Sequence, residues 1–457
     1  MTGSALPRFA TWFVVGAIVA VYAHAIYYMP IPHNDQFREI YYTLAFPPGK
    51  IFSNFLEAPG PVFRPGEWVM RYLIVYVFGP YPSSYNYFQI LFVVLVGGLA
   101  LYAISCRNWI DAGAAITAIT FLFGHHAFPA TIEGNNTFTN GLALLAMMAA
   151  LPILQSKGGL SSQLLAIAMS VATVLTKEVG LVVPFTFIAA AILGFPGVRR
   201  WTALVLLVLT LAYLGFRFTT LPALLAETTA QGRAHTGSAY LANITASPIM
   251  IVTGEPYDGN WSEFVRRHFY PWRVIRIVLG LATVAIIFAA FCLRKAAAEA
   301  FPEDELVDWK WTLLLLGVVA ASSAIAFHYT RHRFGGMALP VAYLVLYRSL
   351  RIVLWRLSSL DGRKWLRVTA GSLLFAFSLG WASRAADVFF ALRYLGATTL
   401  VAWVEHYQDY RTNDGKHPES LPYLDSFYWA ALELPWPTVQ NDSSFVKKWL
   451  GERVMNR

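Results

Sequence analysis

Charge is scarce in this chain, at 13% of 457 positions against 57% hydrophobic ones. That much apolar surface cannot be hidden inside one soluble core, so a soluble globular protein is excluded. Cysteine is nearly absent. Cys106 and Cys292 are the only two; both stand at the ends of apolar stretches on one predicted face, and no disulfide framework is implied. No segment of about 20 to 50 residues repeats and no low-complexity linker divides the sequence, which leaves one membrane domain as the economical reading. The net charge of +9 has no compact basic patch behind it. Its residues are strung along loops between apolar stretches, which argues against a nucleic-acid partner.

What the chain has in quantity is apolar runs. A membrane-crossing helix needs about 20 apolar residues at about 1.5 Å each. Such stretches lie near 12–29, 84–105, 111–129, 137–154, 160–176, 179–196, 201–222, 274–293, 311–327, 337–349 and 368–386. The expected fold is therefore an all-α polytopic membrane helix bundle with about 11 transmembrane helices. The first run is too long for a signal peptide and lacks its small-residue cleavage site, so it reads as retained.

With the N-terminus cytoplasmic, the inner segments carry Arg107, Lys157, Arg199, Arg200, Arg294, Lys295 and the loop run Arg348, Arg351, Arg356, Arg363, Lys364, Arg367. This is the positive-inside bias. Segment 67–78, rich in Trp68, Tyr72 and Tyr76 and bracketed by glycine and proline, reads as an interfacial helix in the first outer loop. Segment 223–273 reads as a partly ordered outer loop. The tail from 387 to 457, with a helix expected near Leu392–Tyr407, reads as a small extracytoplasmic C-terminal segment after the membrane domain 1–386.

The outer face then gathers His33, Asp35, Arg38, Glu39, Arg64, Glu67, His125, His126, Glu133, Lys177, Glu178, His328, Arg331, His332 and Arg333. Ionisable groups gathered at one membrane level are what a polar site needs, although span ends are also where charge costs least. Asp35 is either the N-cap of a helix starting at Gln36 or a reacting carboxylate. Glu133 is either a solvated loop acid or a second site carboxylate. Glu178 closes a local ion pair with Lys177 or takes a site role; Lys177, a cation on the outer face, suits a phosphate. The adjacent His125 and His126 point about 100° apart on a helix and do not converge on one metal ion, so they read as structural. His328, Arg331 and Arg333 read as an interfacial anchor or an anion site. No metal or other cofactor is called for, and a divalent ion is left open.

The order of these motifs resembles the GT-C superfamily of polyprenyl-phosphate-sugar-dependent glycosyltransferases, particularly protein O-mannosyltransferases, the aminoarabinose transferases of lipid A and the tetratricopeptide-linked O-mannosyltransferases. The matching pieces are His33-Asn34-Asp35, Phe63-Arg64-Pro65-Gly66, Gly79-Pro80-Tyr81-Pro82, His126-Ala127-Phe128-Pro129 with Glu133, Leu175-Thr176-Lys177-Glu178 with Pro184, and Arg331-His332-Arg333-Phe334 with Met337-Ala338-Leu339-Pro340. They cover roughly residues 8–350. The resemblance implies a GT-C bundle in which Asp35 is the essential acid of the first outer loop and Lys177 and Arg333, with Arg331 beside them, touch the lipid phosphate. The chain departs from relatives whose second carboxylate adjoins the first, because Asn34 and Gln36 flank Asp35. Glu39, Glu67 or Glu133 would have to serve.

The expected reaction is inverting transfer of a sugar from a polyprenyl-phosphate donor to an acceptor hydroxyl on a glycan, glycolipid or protein, outside a bacterial inner membrane rather than in the endoplasmic reticulum. Its sites would be Asp35 and Glu133 for catalysis, with Arg64, Lys177, His328, Arg331 and Arg333 on the lipid phosphate. Two other readings stand beside it: an O-antigen ligase or polymerase acting on a lipid pyrophosphate, and a non-enzymatic transporter or scaffold.

Overall fold

The computed structural model describes residues 5–27, 64–78, 82–132, 137–230, 270–301, 308–325, 336–359 and 367–386, with 48–49, 53, 248, 306 and 364–365 between them. Among the described residues every regular element is helical. In chain order these are α1 (Ala5–Tyr27), α2 (Pro65–Phe78), α3 (Pro82–Tyr102), α4 (Trp109–Gly124), α5 (Ala127–Ile132), α6 (Leu142–Gln155), α7 (Leu160–Thr176), α8 (Val182–Ile192), α9 (Arg200–Ala230), α10 (Tyr270–Ala297), α11 (Trp309–Ile325) and α12 (Leu339–Ser358). A last helix, α13, covers 367–386. A π-turn, Thr137–Gly141, leads into α6, and a 3₁₀ turn, Glu178–Leu181, joins α7 to α8.

A helix occupies each of the eleven apolar stretches, and α2 falls where the interfacial helix was expected. Among the described residues five helical segments are long and apolar enough to cross a membrane: Ala5–Tyr27, Tyr85–Tyr102, Arg200–Arg217, Ile277–Ala297 and Gly336–Ser358. Trp109–Gly124, Thr139–Gln155, Leu160–Thr176, Glu178–Ile192 and Trp309–Ala324 are apolar but shorter. Large apolar side chains face outward on α1 (Phe9, Trp12), α9 (Leu204, Val208) and α10 (Leu281, Phe288), a surface suited to lipid rather than water.

The centre of the bundle is α12. Every residue from Leu339 to Ile352 is buried, as expected of a helix surrounded by others, and α4, α6, α10 and α11 pack around it. On one flank α1 lies along α3 and α4. Gly97 lets it approach, since a Cβ there would sit 2.9 Å from Val19 Cγ2. The Tyr22 hydroxyl donates to the Phe123 carbonyl at 2.5 Å. On another flank α13 meets α4, where the fully buried Trp381 stands edge-on to Phe121 with ring centroids 4.9 Å apart and Thr117 Oγ1 lies 2.6 Å from Ser378 Oγ.

One expectation needs correction. Arg348 and Arg351 were assigned to the cytoplasmic end of a span closing at 349 and the loop after it, but they are buried inside α12, which continues to Ser358. The hydropathy window closes at these arginines; the helix does not, because α4 and α6 supply acceptors for them. Segment 223–273, expected to be a partly ordered loop, is helical at both margins, since α9 runs on to Ala230 and α10 begins at Tyr270.

Candidate functional site

Arg64 precedes Pro65, which opens α2 at the position where a missing N–H costs nothing, and the Glu67 N–H donates to the Arg64 carbonyl at 3.1 Å. The buried positions of α2 are Glu67, Arg71 and Ile74. That i, i+4, i+7 stripe faces α7 and α3. Gly66 sets the distance to α7, because a Cβ there would lie 2.8 Å from Thr176 Oγ1 and 3.0 Å from the Leu175 carbonyl carbon.

At the end of α7 the backbone turns extended at Lys177 (φ −164°). The Lys177 N–H donates to Thr173 O at 3.1 Å and the Gly180 N–H to Lys177 O at 2.8 Å, closing a tight corner. Only glycine fits at position 180, where a Cβ would meet Thr173 O at 2.1 Å. The corner aims the Glu178 carboxylate between two helices. Its Oε2 accepts from Arg64 Nη2 at 2.9 Å and its Oε1 from Arg217 Nη2 at 2.7 Å.

Arg217 is the eighteenth residue of α9, about 26 Å along the axis from the first, and sits level with the Lys177–Glu178 corner. Glu67 extends the network on the other side, pairing with Arg71 and more loosely with Arg64 Nη1 at 3.8 Å. The Arg71 guanidinium lies over the Trp68 ring, 4.5 Å from its centroid. The order Arg71, Glu67, Arg64, Glu178, Arg217 thus alternates sign across three elements. Lys177, 8% exposed, sits in the same corner. Among the described residues the cluster holds four cations and two carboxylates. Burial opposes charge on Glu178, but the guanidinium groups of Arg64 and Arg217 outweigh it and hold the carboxyl below its ordinary range.

Of the expected site residues, the fold brings Arg64 to the Lys177–Glu178 corner. Asp35, Glu133, His328, Arg331 and Arg333 lie outside the described residues, as do His33, Arg38, Glu39 and His332. The Lys177–Glu178 hairpin pair is corrected: among the described residues the ion-pair partners of Glu178 are Arg64 and Arg217. Glu67, one of the three carboxylates expected as a possible partner of Asp35, joins this cluster instead, and Arg71 and Arg217 were not among the expected site residues. Arg217 carried a usable signal, a cation interrupting an apolar helix. His125 is structural in its geometry: its Nδ1 accepts from the Ala127 N–H at 3.2 Å and its ring stacks on Trp381 with centroids 6.1 Å apart. Among the described residues no three His, Cys, Asp or Glu side chains are placed to hold a metal. The geometry offers guanidinium groups held rigidly at a helix corner, an arrangement able to bind an anion. No family model matches the chain, and comparison with curated proteins and with solved structures finds no match either.

Proposed function

We propose that the chain is a GT-C-type inverting glycosyltransferase with eleven membrane spans that moves a sugar from a polyprenyl phosphate to an acceptor hydroxyl on the extracytoplasmic side. The observation that carries this reading is the junction at Glu178. Arg64 and the Lys177–Glu178 turn, singled out as separate motifs 114 positions apart, meet there at 2.9 Å. A phosphate site built from distant motifs needs such a meeting point.

In the reaction the acceptor oxygen attacks the anomeric carbon while the bond from that carbon to the phosphate oxygen breaks. The electron pair leaves with the polyprenyl phosphate, and Asp35 takes the acceptor proton. Lys177, Arg64, Arg331 and Arg333, with His328 beside them, stabilise the charge developing on the departing phosphate. Glu133 is the reserve carboxylate. A single displacement inverts the configuration, and no strong acid is needed because phosphate is already a good leaving group.

The test is turnover by the purified protein with a panel of polyprenyl-phosphate sugars. Asp35→Asn should lose about 10² to 10⁴ in rate, the usual contribution of a general base, while retaining donor binding. Wild-type turnover in this variant would move the base elsewhere, and no turnover with any lipid-phosphate sugar would remove the reading altogether.

A further inference from the structure

At the opposite end of α7 from Lys177, seventeen residues and so about 26 Å away along the helix, a second polar region is built around a cavity of about 700 Å³. It lies among the ends of α3 and α6, the start of α11 and the middle turns of α12. Arg348, Arg351, Lys310 and Asp308 are the charged residues lining it, with Trp311 and Tyr347 among the aromatic ones. On the topology above this is the cytoplasmic face.

Its walls are fixed by a layer behind them. Arg348, 4% exposed, donates to Leu306 O at 3.1 Å and to Gln155 Oε1 at 3.0 Å, and its guanidinium lies 4.7 Å from the centroid of the Trp311 ring. Gln155 is itself oriented by Nε2 donating to Ala103 O at 3.3 Å and Leu151 O at 3.2 Å. Arg351 Nε donates to Asp111 Oδ1 at 2.6 Å, and Asp111 is held in turn by the Arg107 N–H at 2.9 Å. The Asp308 Oδ1 is engaged as the cap of α11, accepting from the Trp311 N–H at 3.0 Å. At the rim Lys310 Nζ donates to Gly194 O at 3.3 Å.

We propose that this cavity is a binding site for a phosphate ester, separate from the Glu178 cluster. Among the described residues three cations stand with two carboxylates, Asp308 in the lining and Asp111 behind it on Arg351, and two guanidinium groups are pre-set in orientation, an arrangement that suits phosphate. Size narrows the class. A cavity in the range of small-molecule sites leaves most of its volume to whatever the phosphate is attached to, and Trp311, Phe195, Pro152 and Pro196 offer that body an apolar wall. The ligand is either the headgroup of an inner-leaflet anionic lipid or a soluble phosphorylated metabolite.

The experiment uses the full chain in nanodiscs, with two arms. In one, glycerol 3-phosphate is titrated calorimetrically against glycerol. In the other, retention of phosphatidylglycerol against phosphatidylcholine is measured by native mass spectrometry. Binding in the first arm marks a soluble ester and in the second a lipid headgroup. Lys310→Gln, at the partly exposed rim, should fold normally and weaken the binding about tenfold, the scale of one charge-assisted hydrogen bond. Arg348→Lys should weaken it further while keeping the charge. If neither probe binds the wild type, or if both variants bind as the wild type does, the proposal is wrong.

Discussion

Asp111 and Arg351 stand 240 positions apart in sequence and 2.6 Å apart in the fold, each almost wholly buried. Removing one partner leaves the other as a buried charge, at a cost of about 3 to 5 kcal/mol. Asp111→Asn and Arg351→Met should each lower the unfolding midpoint in detergent sharply, and the double variant should recover most of the loss. Equal, additive losses would mean that the pair is not coupled. Glu178 makes a pH prediction whose sign follows from its depressed carboxyl. Its stabilising effect is fully present above the ordinary carboxylate range, near about 4.3, and disappears as pH falls through the lower folded value. The stability difference between wild type and Glu178→Gln should therefore stay constant from about pH 7 to 5 and shrink only below about 4. A difference that vanishes already at pH 6 would contradict the assignment of Arg64 and Arg217 as its partners. Sequence reading singled out Arg64 and Lys177 because cations on the outer face oppose the loop bias. Arg217 is not legible in the same way, because hydropathy gives the span but not the level at which its neighbours end.

At the scale of the element, the corner between α7 and α8 rests on Gly180, where an added Cβ would stand 2.1 Å from Thr173 O and 2.3 Å from its carbon. Backbone, not a flexible side chain, is in the way. Gly180→Ala should pull Glu178 off its two arginines and destabilise the protein, whereas Gly98→Ala on α3, with nothing within 4 Å, should be neutral or stabilising by up to about 1 kcal/mol. Thermal unfolding of the two variants side by side checks this, and similar midpoints would show that the corner tolerates a Cβ. Helix positions were legible because apolar runs and flanking glycine or proline are local signals. The length of α12 was not. Its arginines look like a loop until Asp111 and Gln155, which no local window includes, are placed beside them.

For the whole molecule, the proposed topology makes the most direct prediction. Single cysteines at Asn135 and Ser358 should be labelled by an impermeant thiol reagent from opposite sides of sealed vesicles, and labelling from one side alone would overturn the topology. The native thiols must be removed first, although burial pushes the Cys106 thiol up and slows its reaction. Helical class and the order of elements were readable in the sequence; the faces that pack together were not, since helices that are apolar all round give no stripe by which to orient them. The burial of α12 also bears on synthesis. The most enclosed helix of the bundle begins at Leu339, after α4, α6, α10 and α11 have all left the ribosome. Those helices must wait with their inner faces against lipid or one another, and the Asp111 carboxylate must wait with them. The arginines of α12 enter only when a carboxylate and a glutamine side chain are already in place to receive them. A chain stopped short of Leu339 would lose its central pillar and leave Asp111 stranded, so the last quarter of the gene decides whether the earlier helices ever settle.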